Sequence, residues 1–161
     1  MKKVILSLTV VALATVVFSS CQPDKTNEDY LKNSKGWVLS KAISNPAYVN
    51  NDGVSDADLS KSYFYECEMS DILTFKDDKD GKRVVLTSTC DAGVKQKETI
   101  GTWKLDGEDK LTFRIPFFEE DVNDVVTITN LDGKNFEYTY AWTKQSTGVR
   151  YVFTMTYVQA K

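Results

Sequence analysis

The chain has 161 residues, 42% of them hydrophobic, with 20 basic residues against 23 acidic ones and not one histidine. The missing histidine excludes histidine-dependent triads, Cys-His nucleophiles and His-ligated metals. A formal charge of −3 without a basic run argues against nucleic acid as a partner.

Residues 1–20 differ in kind from the rest. Lys2 and Lys3 precede an apolar run of 15 residues, Val4–Phe18, broken only by Ser7, Thr9 and Thr15, and small residues follow. That order is a secretory signal, and the run falls short of the ~20 residues a membrane-spanning helix needs. The segment Phe18-Ser19-Ser20-Cys21 resembles a lipobox, in which Cys21 is acylated on sulfur and becomes the new N-terminus. The mature protein, residues 21–161, is long enough for one domain with its own core. It keeps 18 of the basic residues and all 23 acidic ones, a formal charge of −5. Such a surface does not dock on anionic lipid, so the acyl chains must supply the attachment.

Residues 22–35, QPDKTNEDYLKNSK, are polar and without periodicity. They read as a lipidated tether with Cys21, which 14 extended residues would carry to roughly 45 Å. From Gly36 to Lys161 the chain reads as short strands separated by turns. Eight are expected: Gly36–Ser44, Asp71–Lys76, Lys82–Cys90, Thr99–Leu105, Lys110–Phe117, Val122–Asn130, Lys134–Trp142 and Val149–Val158. Three of them alternate most clearly, with Leu111, Phe113, Ile115 and Phe117 on one face, Phe136, Tyr138, Tyr140 and Trp142 on another, and Tyr151, Phe153, Met155 and Tyr157 on a third. Period-2 alternation marks half-buried antiparallel strands.

The turns fix the order. Asp80-Gly81, Asp106-Gly107 and Asp132-Gly133 recur every 26 residues, and Asp-Gly suits a two-residue type I′ hairpin. Twenty-six residues is about two strands with their connections, so these corners share one rim. The longer connections then share the other rim. In the first, Asn45–Ser70, Ser55 reads as an N-cap, and Leu59, Tyr63 and Cys67 form an apolar stripe at i, i+4 and i+8 on a short helical lid. Export places Cys67 and Cys90 in an oxidising compartment, where an even pair reads as one disulfide. Both lie at the long-loop rim, so the bridge would pin the lid to the mouth.

An eight-stranded antiparallel meander removes its exposed edges by closing into an all-β up-and-down barrel. Such a barrel, with tight turns at one end and a long first loop over the other, resembles the lipocalin architecture. With the Cys21-type anchor it resembles the lipocalin-like lipoproteins of Bacteroidota-type bacteria. The resemblance spans roughly residues 36–158 and rests on Gly36-Trp37, Gly101-Thr102-Trp103 and the cysteine pair. It implies a small apolar ligand.

Other chemistry is thin. No phosphate-binding glycine loop is present, two separated cysteines cannot make a zinc knuckle, and the acids around Gly81 and in the first long loop do not match a calcium loop. Glu119, Glu120 and Asp121 have no opposing carboxylate assigned by sequence. Neither a cofactor nor an enzymatic activity is expected. The aromatics are the informative residues: Phe117, Tyr140, Trp142, Tyr151 and Phe153 should line the upper barrel below Tyr63 and Phe64. Aromatics with polar tips suit an amphipathic pocket, and the same residues could instead fill the barrel as core. The expectation is a monomeric envelope protein, lipid-anchored at the outer membrane, that binds a small hydrophobic or amphipathic ligand in its mouth. The alternative is a filled barrel that works through its long loops as an interaction or assembly component.

Overall fold

The computed structural model describes residues 25–50, 52–88, 90, 95–116 and 124–161. It contains nine strands: β1 (Trp37–Val49), β2 (Ser55–Asp58), β3 (Ile72–Asp78), β4 (Gly81–Ser88), β5 (Gln96–Asp106), β6 (Lys110–Phe113), β7 (Asp124–Leu131), β8 (Asn135–Thr143) and β9 (Arg150–Gln159). All neighbours are antiparallel. From β3 to β9 each strand pairs with the next in sequence, and β9 returns to β1 over the register Trp37↔Gln159 to Asn45↔Val152. The result is a closed eight-stranded barrel, with β2 as an additional short strand.

The reason for β2 lies in the seam. β3 covers β1 only at Trp37 and Val38, which leaves the far half of that edge without ladder partners. β2 pairs with it at Ile43↔Asp58, Tyr48↔Asp56 and Val49↔Ser55, and the Ser60 hydroxyl accepts from the Ala42 N–H at 2.7 Å. Buried backbone donors thus find partners. This corrects the expected first loop, since β1 runs past Ser44 to Val49. The lid helix is also shorter than the stripe predicted. α2 (Leu59–Ser62) is capped by the Asp58 side chain rather than by Ser55. Leu59 is buried, Tyr63 ends the helix 40% exposed, and Cys67 precedes a separate 3₁₀ turn, Glu68–Ser70.

The three Asp-Gly corners lie at one rim. Their loops differ from the uniform two-residue pattern: Lys79-Asp80 joins paired Asp78 and Gly81, whereas three residues, 107–109, separate Asp106 from Lys110. Asp132 takes backbone N–H groups of Lys134 and Asn135 on its carboxylate, an Asx-type closure.

The described end of the expected tether is not extended. Thr26 and Asp29 form a reciprocal capping box on α1 (Asn27–Leu31). This helix reaches all three corners. Glu28 binds Lys82 at 2.9 Å, Asn27 donates to the Glu108 carbonyl at 2.6 Å, and the Tyr30 ring lies against Gly133. Leu31 is fully buried, and its carbonyl accepts from the Trp37 indole N–H at 3.1 Å. α1 therefore stoppers the tight-turn rim. Above it, Trp37, Phe75, Phe113, Phe136, Tyr138 and Tyr157 are at most 1% exposed and interlock as tilted, edge-on and stacked rings, and Met155 is equally buried.

Candidate functional site

At the other rim, alternation sends Tyr140 and Trp142 of β8 and Tyr151 and Phe153 of β9 to the interior. The register pairs Tyr140 with Phe153 and Trp142 with Tyr151. Directly opposed rings then stack, with centroids 6.2 Å apart in both pairs. Across the mouth Tyr63 meets Phe64 edge-on at 5.4 Å. Tyr151 and Phe153 are 2% and 1% exposed, Tyr140 and Phe64 are buried, and Trp142 is half-buried. Phe117, Glu119, Glu120, Asp121 and Cys21 lie outside the described residues.

Both groups share one neighbour. Tyr48, half-buried near the end of β1, joins them. Its ring contacts Tyr63 at 5.9 Å, Trp142 at 6.4 Å, Tyr151 at 5.2 Å and Phe153 at 6.0 Å. Sequence reasoning ended the first strand at Ser44 and so placed Tyr48 in the long first loop. Around Tyr48 the pattern is weak, with Ala47 half-buried like Tyr48 itself and Val49 exposed. A cation completes the rim: the Lys144 ammonium sits 5.5 Å above the Tyr48 ring and donates to the Val49 carbonyl at 2.8 Å.

Beneath this cluster the interior is occupied by side chains. The hydroxyls of Tyr138 and Tyr157 face each other at 3.4 Å between stacked rings. Both phenols are fully buried, and desolvation pushes each well above its ordinary range, so both remain neutral and hydrogen-bonded. Between the lid and the cluster, Tyr48, Asn50, Val54, Asp56, Leu59, Ser62 and Tyr63 enclose a cavity of about 20 Å³. That holds one water and no organic ligand.

The lid is fastened on its far side. Cys67 and Cys90 form a disulfide with Cα atoms 5.1 Å apart, tying the segment after α2 to the chain leaving β4. The acids around Gly81 bind no candidate ligand: Arg83 holds Asp78 at 2.8 Å and Asp80 at 3.4 Å, which makes this a self-satisfied turn.

A family model described as a lipocalin-like domain matches residues 34–138, from the turn before β1 to the middle of β8. Comparison with curated proteins gave no match.

Proposed function

This chain belongs to the lipocalin-like domain family, and from that premise we propose a lipid-anchored binding module of the bacterial cell envelope that takes a small amphipathic ligand in its mouth. A lipocalin-like barrel suggests small-ligand binding. The observation that carries the finer reading is the Tyr48 cluster, an aromatic floor with the lid on one side and the Lys144 ammonium at its edge. Rings supply apolar contact, and Lys144 supplies a partner for an anionic or hydrogen-bonding headgroup. The packed interior limits the guest to the upper barrel.

The anchor agrees with this layout. Thr26 caps α1, and α1 is held on the barrel through Asn27 and Glu28. The five residues from Cys21 to Lys25 span at most roughly 17 Å. An acylated Cys21 therefore sets the α1 rim beside the membrane and turns the aromatic mouth away from it.

The test is expression of the full chain in a bacterial host, followed by native mass spectrometry from neutral detergent. The expected species carries acyl chains on Cys21 and one noncovalent small molecule, and Cys21→Ala moves the protein to the soluble fraction. A membrane-free wild type, or a chain that never retains a guest, contradicts the reading. The filled lower barrel and the 75% exposed Tyr65 favour a second reading, a module that engages a protein through its lid. Under it, Tyr65→Ala abolishes partner capture while the mouth stays empty.

A further inference from the structure

A second site lies on the outer wall, and it shares no lining residue with the mouth. The turn at Ser34-Lys35 passes over the exterior of β3. It passes so closely that a Cβ on Gly36 would stand 2.6 Å from Ile72 Cγ2 and 2.8 Å from the Thr74 hydroxyl. This crossing forms one bank of a groove of about 320 Å³, lined by Ser34, Lys35, Thr74, Lys76, Thr87, Lys95 and Lys97 around Ile72 and Val85.

Register explains the convergence. Ile72 pairs with Thr87 and Thr87 with Lys97, so the three side chains form one row on the outer face. Lys95 stands two residues from Lys97, and Lys76 two from Thr74, on that same face. Glu98 is opposite Leu86 and points to the other side of the sheet. The groove therefore gathers four ammonium groups and three hydroxyls, with no carboxylate in its lining, on a domain whose mature charge is negative.

Among the described residues, none of the four lysines makes an ion pair within 4 Å. Lys76 feels the Asp78 carboxylate, but Arg83 holds that group directly. Some lysines elsewhere do pair, as in Lys32 and Lys82 with Glu28 and Lys104 with Asp106. Lysine stems commonly cover an apolar floor such as Ile72 and Val85. They do not account for the missing counter-charges. Four like charges facing one concavity raise its potential and attract a multiply charged anion.

We infer that Lys35, Lys76, Lys95 and Lys97, with the Ser34, Thr74 and Thr87 hydroxyls, form a binding site for a phosphate-bearing anion. Hydroxyls and ammonium groups both donate to phosphate oxygens. The phosphate could belong to a soluble ester or to a lipid headgroup.

Lysine acetylation rates of the full chain, read by mass spectrometry, test this with two probes. One arm adds pyrophosphate to the protein in neutral detergent. The other compares vesicles of phosphatidylcholine alone with vesicles containing one-third phosphatidylglycerol. The expected result is saturable protection, by at least several-fold, of all four groove lysines in one arm or both, with Lys61 unchanged. Protection by pyrophosphate identifies a soluble-type ligand, and protection by phosphatidylglycerol alone identifies the headgroup. In Lys76→Gln/Lys97→Gln, protection of Lys35 and Lys95 should vanish, whereas Lys97→Arg should keep it. If neither probe slows the groove lysines more than Lys61, or if the double variant leaves Lys35 and Lys95 protected, the site is refuted.

Discussion

Tyr48 meets Tyr151 edge-on with ring centroids 5.2 Å apart, and this contact joins the lid side of the mouth to the β8–β9 stack. Quadrupole attraction favours the edge-on approach over a face-to-face sandwich. Tyr48→Ala should cost about 2 kcal/mol, less than a fully buried ring because Tyr48 is half-buried. Tyr48→Phe should cost under about 0.5 kcal/mol, since the ring contacts survive. Urea denaturation of the two variants compares them directly.

Gly36 and Gly107 separate strain from crowding. Both have positive φ, +79° and +66°, but only Gly36 has neighbours in the space a Cβ would fill. Gly107→Ala should lose about 1 kcal/mol from backbone strain alone. Gly36→Ala adds a collision with the Leu73 carbonyl at 2.9 Å, and it should lose at least about 3 kcal/mol. Equal losses in thermal unfolding would mean that the crossing over β3 is looser than described.

The disulfide closes a loop across a sequence separation of 23. In the chain-entropy account a loop of that size contributes about 3 kcal/mol. Reduction, or Cys67→Ser/Cys90→Ser, should lower stability by that amount. It should also speed hydrogen exchange in α2 before the barrel strands respond.

Acid should release the stopper first. The Glu28 carboxyl is lowered from its ordinary 4.5, chiefly by the hydrogen bond from Lys82 and further by Lys32. Its contribution is therefore whole above pH 4.5 and fades as pH falls through the lowered value. Exposure of the pair keeps the effect modest. Hydrogen-exchange protection in α1, taken relative to the intrinsic rate at each pH, should fall on acidification below pH 4.5 while β8 and β9 remain protected. Glu28→Gln should show fast α1 exchange already at neutral pH.

The barrel was legible in the sequence because its signals are long and mutually consistent. Alternation over β8 and β9 was strong enough to place Tyr140, Trp142, Tyr151 and Phe153 on the interior, and the glycine corners located the hairpins. Failures came where signals were short or contradictory. α1 has only one fully buried residue, Leu31, so no stripe could reveal it. The Thr26–Asp29 spacing was the available clue. The second half of β1, and Tyr48 with it, fell in the expected first loop, where Pro46 interrupts any strand pattern. β2 owes its conformation to the unpaired edge of β1 rather than to its own residues, SDAD, which have low strand propensity. The lysine groove was invisible because its members come from four separate segments.

The central claim is that the aromatic mouth accepts a guest. A neutral apolar fluorophore, N-phenyl-1-naphthylamine, titrated into the full chain in a nonfluorescent neutral detergent, tests it most directly. The account predicts one saturable site per chain, weakened about tenfold or more by Trp142→Ala or Tyr151→Ala, losses of at least about 1.4 kcal/mol in binding. Phe136→Leu, deep in the packed interior, should leave it intact. Saturable binding that ignores both mouth substitutions, or no saturable binding, would contradict the account.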